Sequence, residues 1–126
     1  MDALIYTRDD EEYATLARIL REEAGPIDLF RDPLDGHGHY EYAYDIVVSA
    51  LEGAQGMIQV EEWTNRYPDV QVLWITGDPY FAGVAIRQRA GDFITRPYGE
   101  DRFRQAVRRA LPNCVRRNQW HFSGRR

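Results

Sequence analysis

Short apolar runs alternate with stretches of helical periodicity along this chain, and that alternation restricts its fold more than any other feature. "ALIYT" (3–7) precedes "DDEEYATLARILREEAG", where Tyr13, Leu16, Ile19 and Leu20 recur at helical spacing. Asp9 and Glu12 open that helix in a D-x-x-E pattern resembling a capping box, and Gly25 with Pro26 closes it. "PIDLF" is a weaker second strand, and "RDPLDGHGHYEY" (31–42) carries too many breakers for more than a short second helix, if any. "YDIVVSA" and "VQVLWIT" are β-branched strands flanking a helix that bears Met57, Val60, Trp63 or Thr64, and Tyr67 at helical spacing and ends at Pro68. "FAGVAIRQRA" predicts a short helix and "DFIT" a short strand. "EDRFRQAVRRAL" predicts a last helix with Phe103, Val107, Ala110 and Leu111 on one stripe, stopped by Pro112.

Strands that alternate with helices require right-handed crossovers, hence a five-stranded parallel sheet, doubly wound with helices on both faces: a (βα)5, flavodoxin-like α/β fold. The strands are apolar almost throughout because central strands of such a sheet are buried on both sides. With 126 residues and 44% hydrophobic content the chain suits a single core, and no apolar run approaches the length needed to span a bilayer. The N-terminus lacks a basic-then-apolar leader, so the expected location is cytoplasmic. The single cysteine, Cys114, excludes an internal disulfide and reads as incidental, beyond the last helical pattern.

Charge divides the chain. Residues 1–95 hold 7 Arg against 18 acids, residues 96–126 hold 9 Arg against 2, and every basic residue apart from histidine is Arg. The predicted division is a domain over 1–111 followed by a basic segment, 112–126, serving as a tail or as the start of a linker or effector.

Ligand chemistry in open parallel sheets sits at the carboxyl ends of the strands. Those ends are Arg8 and Asp9, Ala50 with its loop, Thr76 with Gly77, and Arg96 with Pro97. Four stretches there are telling: the acid-rich turn after the first strand, "DIVV" leading into small residues, "RYPDVQVLWIT" and "DFITRPY". Over about residues 2–111 they resemble the receiver domain of bacterial response regulators. The resemblance implies phosphoryl transfer from a histidine kinase to an aspartate ending the third strand, with Mg2+ held by that aspartate and by acids after the first strand. Lys and Thr contact the phosphoryl oxygens, and an aromatic residue acts as a switch. Thr76 and Phe93 fall on the Thr and aromatic positions, and Arg96-Pro97-Tyr98 on Lys-Pro-aromatic. The 20-residue interval from Thr76 to Arg96 and "YFAGVAIRQRAGDFITRP" resemble receivers that precede LytTR-type DNA-binding domains.

The pattern fails where the chemistry is most demanding. Counting from Asp45, the acceptor position falls on Ala50, whose methyl group can neither accept a phosphoryl group nor bind Mg2+. Ser49 points to the opposite face of the strand. Arg8 and Asp9 stand where two acids are usual, Arg8 repelling Mg2+ and expected to pair with Glu52 or Asp9, and Asp9 suiting a helix cap better than a metal. Arg96 replaces Lys. The resemblance therefore implies a pseudo-receiver: not an enzyme, with no cofactor, Mg2+ included, acting as a phosphorylation-independent interaction module in signal transduction and transcription control. Its partner, a protein or a second copy, would meet the family's fourth helix, fifth strand and fifth helix, a region holding Arg87, Arg89, Arg102 and Arg104, with Arg108 and Arg109 nearby. A longer chain could carry a DNA-binding effector domain.

Two alternatives stay open at this level. Glu52 could serve as a displaced phosphoryl acceptor. The tail, where Arg116, Arg117, Arg125 and Arg126 interleave with Trp120, His121 and Phe122, could bind nucleic acid. A flavin or nucleotide site is disfavoured, because "TRDDEEY" sets four consecutive carboxylates where phosphate would sit. His37 and His39 give only two metal ligands with no third.

Overall fold

The computed structural model describes residues 1–37 and 40–124, with side chains described through Cys114. Five parallel strands, β1 (Asp2–Tyr6), β2 (Asp28–Arg31), β3 (Ile46–Ser49), β4 (Gln71–Thr76) and β5 (Asp92–Thr95), form one sheet in the order β2-β1-β3-β4-β5. Helices α1 (Asp10–Ala24), α2 (Gly53–Arg66), α3 (Ala82–Arg87) and α4 (Glu100–Gly124) flank it, and a 3-10 turn at Pro79–Phe81 precedes α3. The expected doubly wound α/β architecture is what the chain adopts.

Alternation along the strands divides the core. Ala3, Ile5, Ile46, Val48, Leu73 and Ile75 point to the face covered by α1 and α4, where they meet Leu16, Ile19, Leu20, Phe103 and Val107. Leu4, Tyr6, Val47, Val72 and Trp74 point to the other face, against Val60 and Trp63 of α2 and Ala85 of α3. Each fully buried Leu, Ile or Phe removes enough apolar surface from water to contribute about 1.5–3 kcal/mol. Gly56 of α2 is a required close approach: a Cβ there would lie 2.1 Å from the Leu51 carbonyl oxygen.

No helix forms among the described residues between β2 and β3. Leu34 and Gly36 take positive φ, 55° and 82°, which breaks any helical run. Aromatic rings cover the sheet instead: Tyr40 and Tyr44 meet Trp63 edge-on at 5.3 and 5.8 Å, and the Trp63 indole donates to the Tyr6 hydroxyl at 2.9 Å. Asp2 and Asp45 each accept the other's backbone N–H, at 2.8 and 3.0 Å, which pins the start of β3 to β1.

Two expectations at the C-terminal side are corrected. Pro112 does not stop the last helix, because α4 runs on to Gly124. Pro112 is exposed, so the carbonyl of Arg108 that loses its amide partner can bond to water, and the cost of the break stays small. Cys114 is not incidental. It is 1% exposed, packs within the α1–α4 core, and its Sγ lies 3.7 Å from the Asp45 carbonyl oxygen.

Candidate functional site

The carboxyl ends of β1, β3 and β5 converge on a cavity of about 390 Å3 lined by Arg8, Asp9, Glu12, Ala50, Glu52 and Arg96 among others. Ala50, at the end of β3, is 4% exposed, and its N–H donates to the Tyr6 carbonyl at 2.8 Å. Its side chain offers this cavity only a methyl group. Thr76 ends β4 fully buried. Arg96 follows β5, and its peptide bond to Pro97 is cis.

Arg96 crosses the space beside Ala50. One guanidinium nitrogen, Nη2, donates to both oxygens of Glu12 at 2.6 and 2.9 Å and to the Ala50 carbonyl at 3.1 Å, while Nη1 pairs with Glu52. Glu12 also accepts the hydroxyls of Thr7 at 2.7 Å and Tyr98 at 2.9 Å. Glu52 accepts the Thr76 hydroxyl at 3.1 Å and the Gly77 N–H at 2.9 Å. Burial acts to raise the Glu52 pKa, but the Gly77 N–H, the Arg96 charge and the Thr76 hydroxyl outweigh it, so its carboxyl ionises below the usual carboxylate range. Burial and the bond to Glu12 push the Tyr98 phenol up.

The other sequence candidates sort as follows. Asp9 is the N-cap of α1: its Oδ1 accepts the amides of Glu11 and Glu12 at 2.9 and 3.2 Å. The reciprocal half of a capping box does not form, because Glu12 turns to Arg96. Arg8 pairs with neither Glu52 nor Asp9 and donates instead to Gln55 at 2.8 Å. Phe93 packs edge-on against Trp74, centroids 5.4 Å apart, and Trp74 is the one side chain with a buried polar atom lacking a partner among the described residues. No cluster of three metal-ligating side chains occurs among the described residues, and no described helix is long and apolar enough to cross a membrane. His39 of the H-x-H pair, and the tail side chains from Arg116 onward, lie outside what is described.

The Arg-lined face is also revised. Arg104 donates to Glu23 at 2.7 Å and Glu22 at 2.8 Å, and Arg108 to Glu23 at 2.6 Å, so both tie α4 to α1. Arg102 is held on β5 by Asp92 at 2.7 Å and by the Phe93 carbonyl at 3.0 Å. Arg87 and Arg89 are exposed and make no ion pair with a described residue, beside Tyr80 and Ile86, each 80% exposed.

No family model and no curated protein sequence matches the chain. Solved structures do. A CheY-like receiver domain protein from Methanospirillum hungatei superposes with a TM-score of 0.73 at 14% identity, covering 92% of this chain and 97% of that one. NtrX from Brucella abortus gives 0.69 at 22% identity over 95% of this chain, which spans 28% of the NtrX chain. HP1043, an orphan response regulator of H. pylori, gives 0.67 at 19% identity over 90% of this chain and 96% of that one. The structural neighbours are response-regulator receiver domains, and the chain has the receiver fold.

Proposed function

We propose that the chain is a pseudo-receiver, a phosphorylation-independent module that transmits regulatory signals by binding a protein partner or a second copy of itself, in the service of transcription control. The observation that carries this reading is the replacement of the acceptor by Ala50, together with an Arg96 guanidinium bonded to the Ala50 carbonyl and ion-paired on both sides, to Glu12 and Glu52. In-line phosphoryl transfer needs an acceptor oxygen and a cation to neutralise developing charge. Here the acceptor is a methyl group, and the guanidinium bonded to its carbonyl, that of Arg96, is already neutralised. Glu52 is a poor displaced acceptor, because its oxygens are engaged by Thr76, Gly77 and Arg96 and their nucleophilicity is correspondingly reduced.

The partner surface favoured by exposure is the patch at the 3-10 turn and α3, where Tyr80, Ile86, Arg87 and Arg89 lie open. Intact-mass analysis after incubation with acetyl phosphate and Mg2+ tests the central point. The expected mass is unchanged. A stoichiometric gain of one phosphoryl group would overturn the reading.

A further inference from the structure

A second cavity, of about 350 Å3, lies between the end of β1, the segment after β2 and α2. The left-handed backbone at Leu34 and Gly36 carries that segment past α2 as a turn and not as a helix, and the cavity takes the space. Its wall holds two opposite charges that do not meet. Asp32 is 7% exposed; its Oδ1 accepts the Leu34 N–H at 2.8 Å, and no cation pairs with it among the described residues. Buried carboxylates are ordinarily paired, because an isolated charge out of water is costly. Arg8 lines the same cavity, yet one of its guanidinium nitrogens donates to the Gln55 side-chain oxygen at 2.8 Å and the others meet no described acceptor. The amides of Gln55 and Gln59 are half used in the same way. Their oxygens accept Arg8 and the Tyr40 hydroxyl, each at 2.8 Å, and their NH2 groups have no described partner. Leu34, Leu51 and Ile58 add apolar surface to the same wall.

We propose that this cavity binds a small zwitterion, a free α-amino acid with an apolar side chain. Its ammonium sits beside Asp32, its carboxylate beside Arg8 and the two glutamine NH2 groups, and its side chain over Leu34, Leu51 and Ile58. The volume falls at the small end of ligand clefts, which run from about 300 to 1,000 Å3. Charge decides the class of ligand. A simple amine would satisfy Asp32 but set a second cation against Arg8, and a simple carboxylate would satisfy Arg8 but repel Asp32. A molecule carrying both charges satisfies both residues and leaves neither desolvated without a partner. Arg8, Leu51 and Gln55 also line the cavity at Ala50, so the two cavities share a wall. Zwitterion binding needs no acceptor at the end of β3, and it stands whether or not the chain is phosphorylated.

The test titrates the full chain with L-leucine and L-phenylalanine and follows it by amide NMR. Three analogues run beside them: leucinamide lacks the carboxylate, N-acetyl-leucine lacks the ammonium, and glycine lacks the side chain. The Leu34 and Leu51 amides and the side-chain NH2 signals of Gln55 and Gln59 should shift saturably at millimolar L-leucine or L-phenylalanine. Each analogue should bind weaker by about tenfold or more. Asp32→Asn keeps an oxygen for the Leu34 N–H, so the turn survives. It should weaken L-leucine by about tenfold or more without weakening N-acetyl-leucine, which has no ammonium to lose. Arg8→Gln should weaken L-leucine similarly without weakening leucinamide. Neither amino acid shifting these signals, analogues binding as tightly as the parent, or variants that weaken zwitterion and blocked analogue alike would overturn the site. Should Asp32→Asn not fold, the analogue series on the native chain decides alone. Labelling by acetyl phosphate would sink the functional reading and leave these titrations standing.

Discussion

Replacing Arg96 by Met keeps the stem of the side chain and deletes its charge and donors. The Glu12 side chain is 12% exposed, and it would keep the hydroxyls of Thr7 and Tyr98 but lose the cation that neutralises it. Stranding a fully buried carboxylate costs about 3–5 kcal/mol, and an exposed pair is worth about 0–1. Arg96 is 27% exposed and Glu12 keeps two hydrogen bonds, so an intermediate cost of about 2 kcal/mol follows for this arm. The Glu52 arm adds little, since that side chain is 56% exposed. For 126 residues the unfolding entropy is about 0.26 kcal/mol/K, so Tm should fall by about 8 °C in differential scanning calorimetry. Pairing the change with Glu12→Gln removes the stranded charge, so the double variant should recover about 1 kcal/mol relative to the sum of the two single changes. A fall below about 2 °C for Arg96→Met, or strict additivity in the cycle, would refute the claim that this ion pair holds the strand ends together.

Gly56→Ala sets two effects against each other: a gain in helix propensity of about 1 kcal/mol and an overpacking cost that, for a Cβ 2.1 Å from a backbone oxygen, lies at the upper end of about 1–3 kcal/mol. Thermal melts should show a net loss, and an unchanged or raised Tm would mean the backbone yields freely there. At alkaline pH, burial raises the phenol pKa values of Tyr6 and Tyr98 above the ordinary value near 10. A raised folded-state pKa gives stability that is complete below about pH 10 and drains away above it. Phenolate absorbance should therefore show these two of the eight tyrosines ionising only as the fold is lost, whereas eight phenols titrating together near pH 10 in folded protein would contradict their burial.

The sheet was legible because its central strands are buried on both faces, so runs such as "DIVVS" leave little choice of structure. Ala50 was legible for a similar reason: a short strand fixes which residue sits at its end. The occupation of the cavity was not. Glu12 and Arg96 are 84 residues apart, and nothing in "DDEEY" says that Glu12 will turn away from the capping box to reach an arginine across the sheet. Glu52 stood out as a displaced acceptor, but its bonding to Thr76, Gly77 and Arg96 in place of the helix cap depends on donors that only the folded chain brings near. Arg102 and Arg104 were placed on one face, although residues two apart on a helix point about 200° apart. Arg102 accordingly meets β5 and Arg104 meets α1. At Pro112 the ring's effect depended on whether it faced core or solvent, which its sequence neighbourhood does not reveal.

The continuation of α4 past that proline has a mechanical consequence. At 25 residues the helix is about 37 Å long, while the strands beneath it, of four to six residues, extend about 13–20 Å. Its root is gripped on one side by Glu22 and Glu23 and on the other by Asp92, and Cys114 is its last described anchor. The helix is thus clamped as far as Cys114, and the residues from there to Gly124 form an arm of about 15 Å, whose end moves by about 1.3 Å for a tilt of about 5°.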